Sequence, residues 1–81
     1  MATNEQNQKA MADALKRIEQ VRTAPSERDA DLSLAGGQAY ADALSEQELI
    51  THEQWTSLQS KLTEARRQWQ RPERGRGGDF T

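Results

Sequence analysis

Apolar side chains recur at helical spacing in three stretches of this chain. In the first, Met11, Ala14, Ile18 and Val21 step by 3, 4 and 3, and Leu15 widens the stripe. That spacing predicts an amphipathic helix from about Asn4 to Arg22. Thr3 and Gln6 have the spacing of a capping box, in which each side chain satisfies a free backbone N–H at the helix start. Glu5 with Lys9, and Asp13 with Arg17, stand four apart in the favourable order for helix-surface ion pairs. Thr23-Ala24-Pro25-Ser26 then interrupts the pattern, because Pro25 lacks a donor and biases Ala24 away from helical torsions.

The second stretch is less regular. Ser26 is a plausible cap, and Glu27 and Asp29 suit the positive end of a helix dipole. Leu32, Ala35, Ala39 and Ala43 step by 3, 4 and 4, with Tyr40 and Leu44 extending the same face. The apolar run predicts a helix at about 33–47. Gly36-Gly37 either breaks it or marks a place where another helix approaches closely, since the pair costs about 2 kcal/mol relative to alanines inside a helix. The third stretch is the clearest. Thr51 and Gln54 form a second capping box, and Ile50 and Trp55 occupy the two positions of a hydrophobic staple. Trp55, Leu58, Leu62, Ala65 and Trp69 then repeat at 3, 4, 3 and 4, a two-heptad seam on a helix at about 52–70. Pro72 ends it. Arg74-Gly75-Arg76-Gly77-Gly78 is too polar and glycine-rich to pack, so 72–81 reads as a disordered Arg/Gly tail. The expected fold is all-α: three helices in one small domain, 1–71, with a helical hairpin formed by 33–47 and 52–70.

Composition sharpens this picture. Only 33% of the 81 residues are apolar, and 11 of those 27 residues are alanine, so the isolated monomer is marginal and a dimer or partner would help it. Cysteine is absent, which removes disulfides, thiolate nucleophiles and Cys-based zinc sites. No apolar run approaches a membrane span, and the N-terminus lacks a signal-peptide pattern. A cytoplasmic protein is expected. The net charge of −2 selects no partner, but its layout is uneven. Ser26 to Glu53 holds one base and seven acids, whereas residues 54–81 hold six bases and three acids. An acidic centre followed by an arginine-bearing end suits self-association, or a basic tail for an anionic partner.

The segment Leu44-Ser45-Glu46-Gln47-Glu48-Leu49-Ile50-Thr51-His52-Glu53-Gln54-Trp55-Thr56-Ser57-Leu58-Gln59-Ser60-Lys61-Leu62 resembles the short helical hairpin of SHOCT-type domains. Their pattern is a short helix, a Gly, two aliphatics, a Thr cap, acids, an aromatic and a Leu/Lys helix. The likeness covers 19 of 81 residues and departs at Glu48, where the family tends to have Gly. It implies a hairpin used for oligomerisation or for attachment to larger partners, and it transfers no functional residue.

Chemistry-bearing residues are sparse. His52 is the sole histidine; it has no second ligand for a metal and no activated serine, because Ser45 and Ser57 share no motif with it. Glu46, Glu48 and Glu53 read as a solvated face rather than as acids with shifted pKa values. Neither glycine cluster has the context of a phosphate loop. No enzyme, cofactor or metal is expected. A helix-turn-helix would present His52, Glu53, Gln54 and Thr56 to DNA, and carboxylates there would face phosphates. The arginines 66, 67, 71, 74 and 76, with Trp69 and Phe80 among them, are a better candidate nucleic-acid contact. The preferred expectation is a non-enzymatic protein–protein interaction module: a small adaptor, regulator or inhibitor of phage or plasmid type, and a homodimer. Trp55, Leu58, Leu62 and Trp69 carry its packing and interface, and the acidic 27–53 surface steers a basic partner. A nucleic-acid accessory protein using Arg66, Arg67, Arg71, Arg74 and Arg76 is the alternative.

Overall fold

The structure, a computed structural model, describes residues 2–71. The expected tail, 72–81, lies outside the described residues. Three helices follow in order: α1 (Asn4–Arg22), α2 (Glu27–Glu46) and α3 (His52–Gln68). Their connections, 23–26 and 47–51, are too short to do anything but reverse the chain. Consistent with that, Arg17 of α1 meets Tyr40 of α2, and Asp31 of α2 meets Arg66 of α3. Asn7 near the start of α1 meets Gln54 near the start of α3. The result is an up-down-up bundle in which each helix touches both others.

Both capping boxes form. Gln6 N–H donates to Thr3 Oγ1 at 3.0 Å while Thr3 N–H donates to Gln6 Oε1 at 2.9 Å. The corresponding distances for Gln54 and Thr51 are 3.1 and 2.9 Å. Ser26 caps α2 by accepting from Asp29 N–H at 3.1 Å.

Four local expectations need correction. First, α2 starts at Glu27 rather than near 33. Glu-Arg-Asp-Ala-Asp shows no apolar rhythm, but the Ser26 cap and the acidic first turn are sufficient, and Ala30 of that turn is completely buried. Second, the inward face of α2 is not the Leu32–Ala35–Ala39–Ala43 stripe. It is Ala30, Gly37, Ala41 and Leu44, with Leu34 packed beside them. Third, α3 ends at Gln68, and Trp69 turns out of the helix at φ −62°, ψ 136°. Fourth, the helix-surface pairs regroup: Lys9 lies 3.9 Å from Asp13, and Arg17 stacks over the Tyr40 ring at 4.3 Å.

Gly36-Gly37 lies inside α2, and the two glycines differ. A Cβ on Gly37 would sit 2.6 Å from Leu62 Cδ2, so this is where α3 presses against α2. A Cβ on Gly36 would meet only Arg17 Nη1, at 4.0 Å. Small residues set this close packing throughout, as six of the eleven buried apolar residues are alanine. One buried cluster joins Ala10, Ala14, Ala41, Leu44, Ile50 and Leu58, with Met11, Ile18, Tyr40, Leu49 and Trp55 packed against it. The other joins Val21, Leu62 and Ala65, flanked by Ile18 and Leu34. Ile50 and Trp55 therefore share one cluster, as a staple requires.

The α2–α3 turn closes by backbone geometry. Glu48 N–H donates to Ser45 C=O at 3.0 Å, and Leu49 N–H donates to Leu44 C=O at 2.9 Å. These are the two bonds of a Schellman motif, with Leu44 and Leu49 supplying its hydrophobic contact. Glu48 takes the left-handed position, at φ 59°.

Candidate protein-interaction surface

The seam expected on α3 divides into three environments. Leu58 and Leu62 are 1% and 2% exposed, so their packing is used inside the bundle and offers nothing to a partner. Trp55 is half-buried, and its indole N–H donates to Asp42 Oδ1 at 2.8 Å. Gln59 Nε2 donates to the same oxygen at 3.2 Å, tying α3 to α2. Trp69 is also half-buried, with its indole N–H donating to Ala24 C=O at 2.9 Å. An indole needs a partner for its single donor when it leaves water, and both find one within the chain.

The basic residues are largely committed too. Arg66 donates through Nε to Asp31 at 2.6 Å and through Nη2 to Glu27 at 3.0 Å, and its guanidinium lies 5.6 Å from the Trp69 ring centre. The Asp31 and Glu27 hydrogen bonds raise the Arg66 pKa above its ordinary value. Arg67 donates to both oxygens of Glu64 at 2.8 and 2.9 Å, which holds the Glu64 carboxyl below its ordinary value. Of the five arginines proposed for nucleic acid, Arg71 is exposed and follows the end of α3. Arg74 and Arg76 lie outside the described residues. The acidic 27–53 stretch is partly consumed in the same way, because Glu27, Asp31 and Asp42 all hold α3.

His52 is exposed at the first turn of α3 and stacks on Trp55, with ring centres 5.6 Å apart and planes at 22°. Among the described residues no group of three or more His, Cys, Asp or Glu side chains is placed to hold a metal ion. No helix among them is long and apolar enough to cross a membrane.

What remains open is the outer face of α2. Leu32 is 59% exposed, Ala35, Gly36 and Ala39 are exposed, and Ala43 is half-buried. At about 100° per residue this row centres roughly 160° from the inward row of buried Ala30, Gly37, Ala41 and Leu44 with half-buried Leu34. The ten residues 32–41 contain no charge, although 30% of the chain is charged. A helix covering the surface of a small bundle ordinarily shows one apolar face; α2 shows two on opposite sides. The spacing of Leu32, Ala35, Ala39 and Ala43 is visible in the sequence. Spacing alone does not orient that row, and the core uses the row containing Gly37 instead. No protein-family model matches the chain, and no curated protein or solved structure is significantly similar to it.

Proposed function

We propose that this protein acts without catalysis, as a small helical module that binds protein through the outer face of α2. The observation that carries this reading is the second apolar row of α2, with Leu32 at its head, left without cover by α1 or α3. An adaptor, regulator or inhibitor role fits a chain with so small a core and so few chemistry-bearing groups. The turn geometry gives some support to the resemblance with SHOCT-type hairpins: Glu48, at the place where that family tends to have Gly, adopts the left-handed conformation that Gly accepts most readily. The nucleic-acid reading finds less support, because Arg66 and Arg67 already hold carboxylates of their own chain.

Immobilised full chain tests the proposal, with wild type, Leu32→Glu and Leu15→Glu exposed in parallel to the same extract. Leu15 is also exposed, at 46%, but lies on α1. Loss of bound protein with Leu32→Glu alone is the expected result. Identical bound sets for all three chains, together with self-association that Leu32→Glu leaves intact, would overturn the assignment of the face.

A further inference from the structure

The outer row of α2 has an internal symmetry that names an occupant. Its apolar members are Leu32, Ala35, Ala39 and Ala43, and it is closed at one end by Arg28 and at the other by Glu46. Arg28 lies four residues before Leu32 and Glu46 three after Ala43, so helical periodicity keeps both charges on the same face as the apolar row. Both side chains are exposed, and neither has an ion-pair partner among the described residues. The row reads the same in both directions around Gly37: Arg28 and Glu46 are equidistant from it, as are Ala35 and Ala39, and Leu32 is nearly so with Ala43.

From this arrangement we infer that the outer face of α2 binds a second copy of the same chain, with the two α2 helices antiparallel about a twofold axis level with residues 37–38. This rests on the reading of that face as a protein-binding surface, and it identifies the partner. In an isologous pair every contact occurs twice. Arg28 of each copy faces Glu46 of the other, Ala35 faces Ala39, and Leu32 settles over Ala43. Small residues at the centre let the backbones approach, and Gly36 has room for it, since a Cβ there meets only the end of Arg17. The opposite, parallel arrangement places arginine against arginine and glutamate against glutamate, so charge selects the antiparallel one. The helix pair spans about 27 Å between Arg28 and Glu46 and, at about 10 Å wide, covers roughly 540 Å² over both copies. That is below the ~1,200–2,000 Å² of stable complexes, so the dimer is expected to be weak and reversible.

Sedimentation velocity of the full chain from micromolar to millimolar concentration tests it. A reversible monomer–dimer equilibrium is expected for wild type. Arg28→Glu and Glu46→Arg each weaken it about tenfold by placing like charges together, and the double reversal Arg28→Glu/Glu46→Arg restores it, because the opposite charges again meet. Leu32→Glu weakens it more than tenfold, while Leu15→Glu leaves it unchanged. Circular dichroism confirms that each variant keeps its helices, all of these sites being exposed. The absence of cysteine allows a spin label at the exposed position 47 in Gln47→Cys, outside the proposed pairs, where the antiparallel pair gives a label separation of about 30 Å along the helix and a parallel pair a much shorter one. A monomer at millimolar concentration, a dimer indifferent to Leu32→Glu, or a double reversal no better than the single ones would overturn the inference. A strict monomer that still captures a different protein through Leu32 would overturn self-pairing and leave the binding face standing.

Discussion

Two helices of this protein begin with nearly the same four residues, Thr3-Asn4-Glu5-Gln6 and Thr51-His52-Glu53-Gln54. Both close a capping box with matching distances. Beyond that local bond set they diverge. The α1 box is solvent-exposed, and among the described residues the side chains of Thr3 and Gln6 hydrogen-bond only within the box. At α3, Gln54 and Asn7 form a reciprocal amide pair, Asn7 Nδ2 to Gln54 Oε1 at 2.8 Å and Gln54 Nε2 to Asn7 Oδ1 at 3.1 Å. Asn7 Nδ2 also donates to Leu49 C=O at 2.9 Å. One glutamine oxygen thus caps α3, binds α1 and joins a network that reaches the α2–α3 turn. Gly36 and Gly37 repeat the lesson one residue apart, with one beside open space and the other against Leu62. Local motifs set how an element starts; the neighbours decide how much depends on it.

The largest difference is expected between the two glutamines. Gln54→Ala removes the return bond to Thr51 and leaves Oδ1 of the part-buried Asn7 amide without its donor, a loss of about 2 kcal/mol. Gln6→Ala removes one exposed bond and costs only about 0.3 kcal/mol, at the scale of surface substitutions. Urea midpoints at constant slope measure both, and equal losses would erase the contrast. A cycle of Asn7→Ala and Gln54→Ala sharpens it, with a coupling of about 1 kcal/mol.

The glycines come next. Gly37→Ala pushes into Leu62, an overpacking cost of about 1–3 kcal/mol offset by about 1 kcal/mol of helix propensity, for a net loss of about 0–2 kcal/mol. Gly36→Ala meets no such contact and gains about 0.5–1 kcal/mol. Thermal melts should therefore move in opposite directions for adjacent substitutions of the same kind.

The threonines give a smaller separation. Thr51→Ala should cost about 1 kcal/mol and Thr3→Ala about half that, since only the first holds a junction between packed helices. Ile50→Ser should loosen the same junction through its 6%-exposed side chain, and hydrogen exchange at the start of α3 would report it while the start of α1 stays protected. The smallest effect concerns the turn itself. Glu48→Gly relieves a left-handed conformation that costs an L-residue about 1–2 kcal/mol, less the interaction its side chain makes and the added freedom of Gly when unfolded, for a net gain of about 0.5 kcal/mol. A lower denaturation midpoint for Glu48→Gly would show that the side chain outweighs the torsion.

Exposed ion pairs such as Glu64 with Arg67 add a pH signature of known sign. The folded carboxyl has its pKa lowered by the Arg67 hydrogen bond. Its contribution is therefore present above the unfolded carboxylate pKa and fades as pH falls through the lowered folded one. Arg67→Gln should flatten that acid limb.

The starts of α1 and α3 and the seam of α3 were legible in the sequence because they depend on interactions within four residues. A Thr or Ser oxygen reaches a backbone N–H three positions on, and an apolar step of 3 and 4 stays on one side of a helix wherever that helix is placed. That determined α1, both capping boxes, the staple and the burial of Leu58 and Leu62. The face that α2 turns inward could not be read the same way. Two apolar rows on opposite sides of one helix have similar periodicity, and the choice between them depends on which allows α3 to come close. Gly37 decides it, because only a residue without a side chain leaves room for Leu62, and that contact spans 25 positions of sequence. The departure of Trp69 from its helix is decided in the same way, by a carbonyl at Ala24 that reaches its indole only once α1 and α3 lie side by side. Local spacing specifies the helices; the distance of closest approach between them specifies which faces remain for a partner.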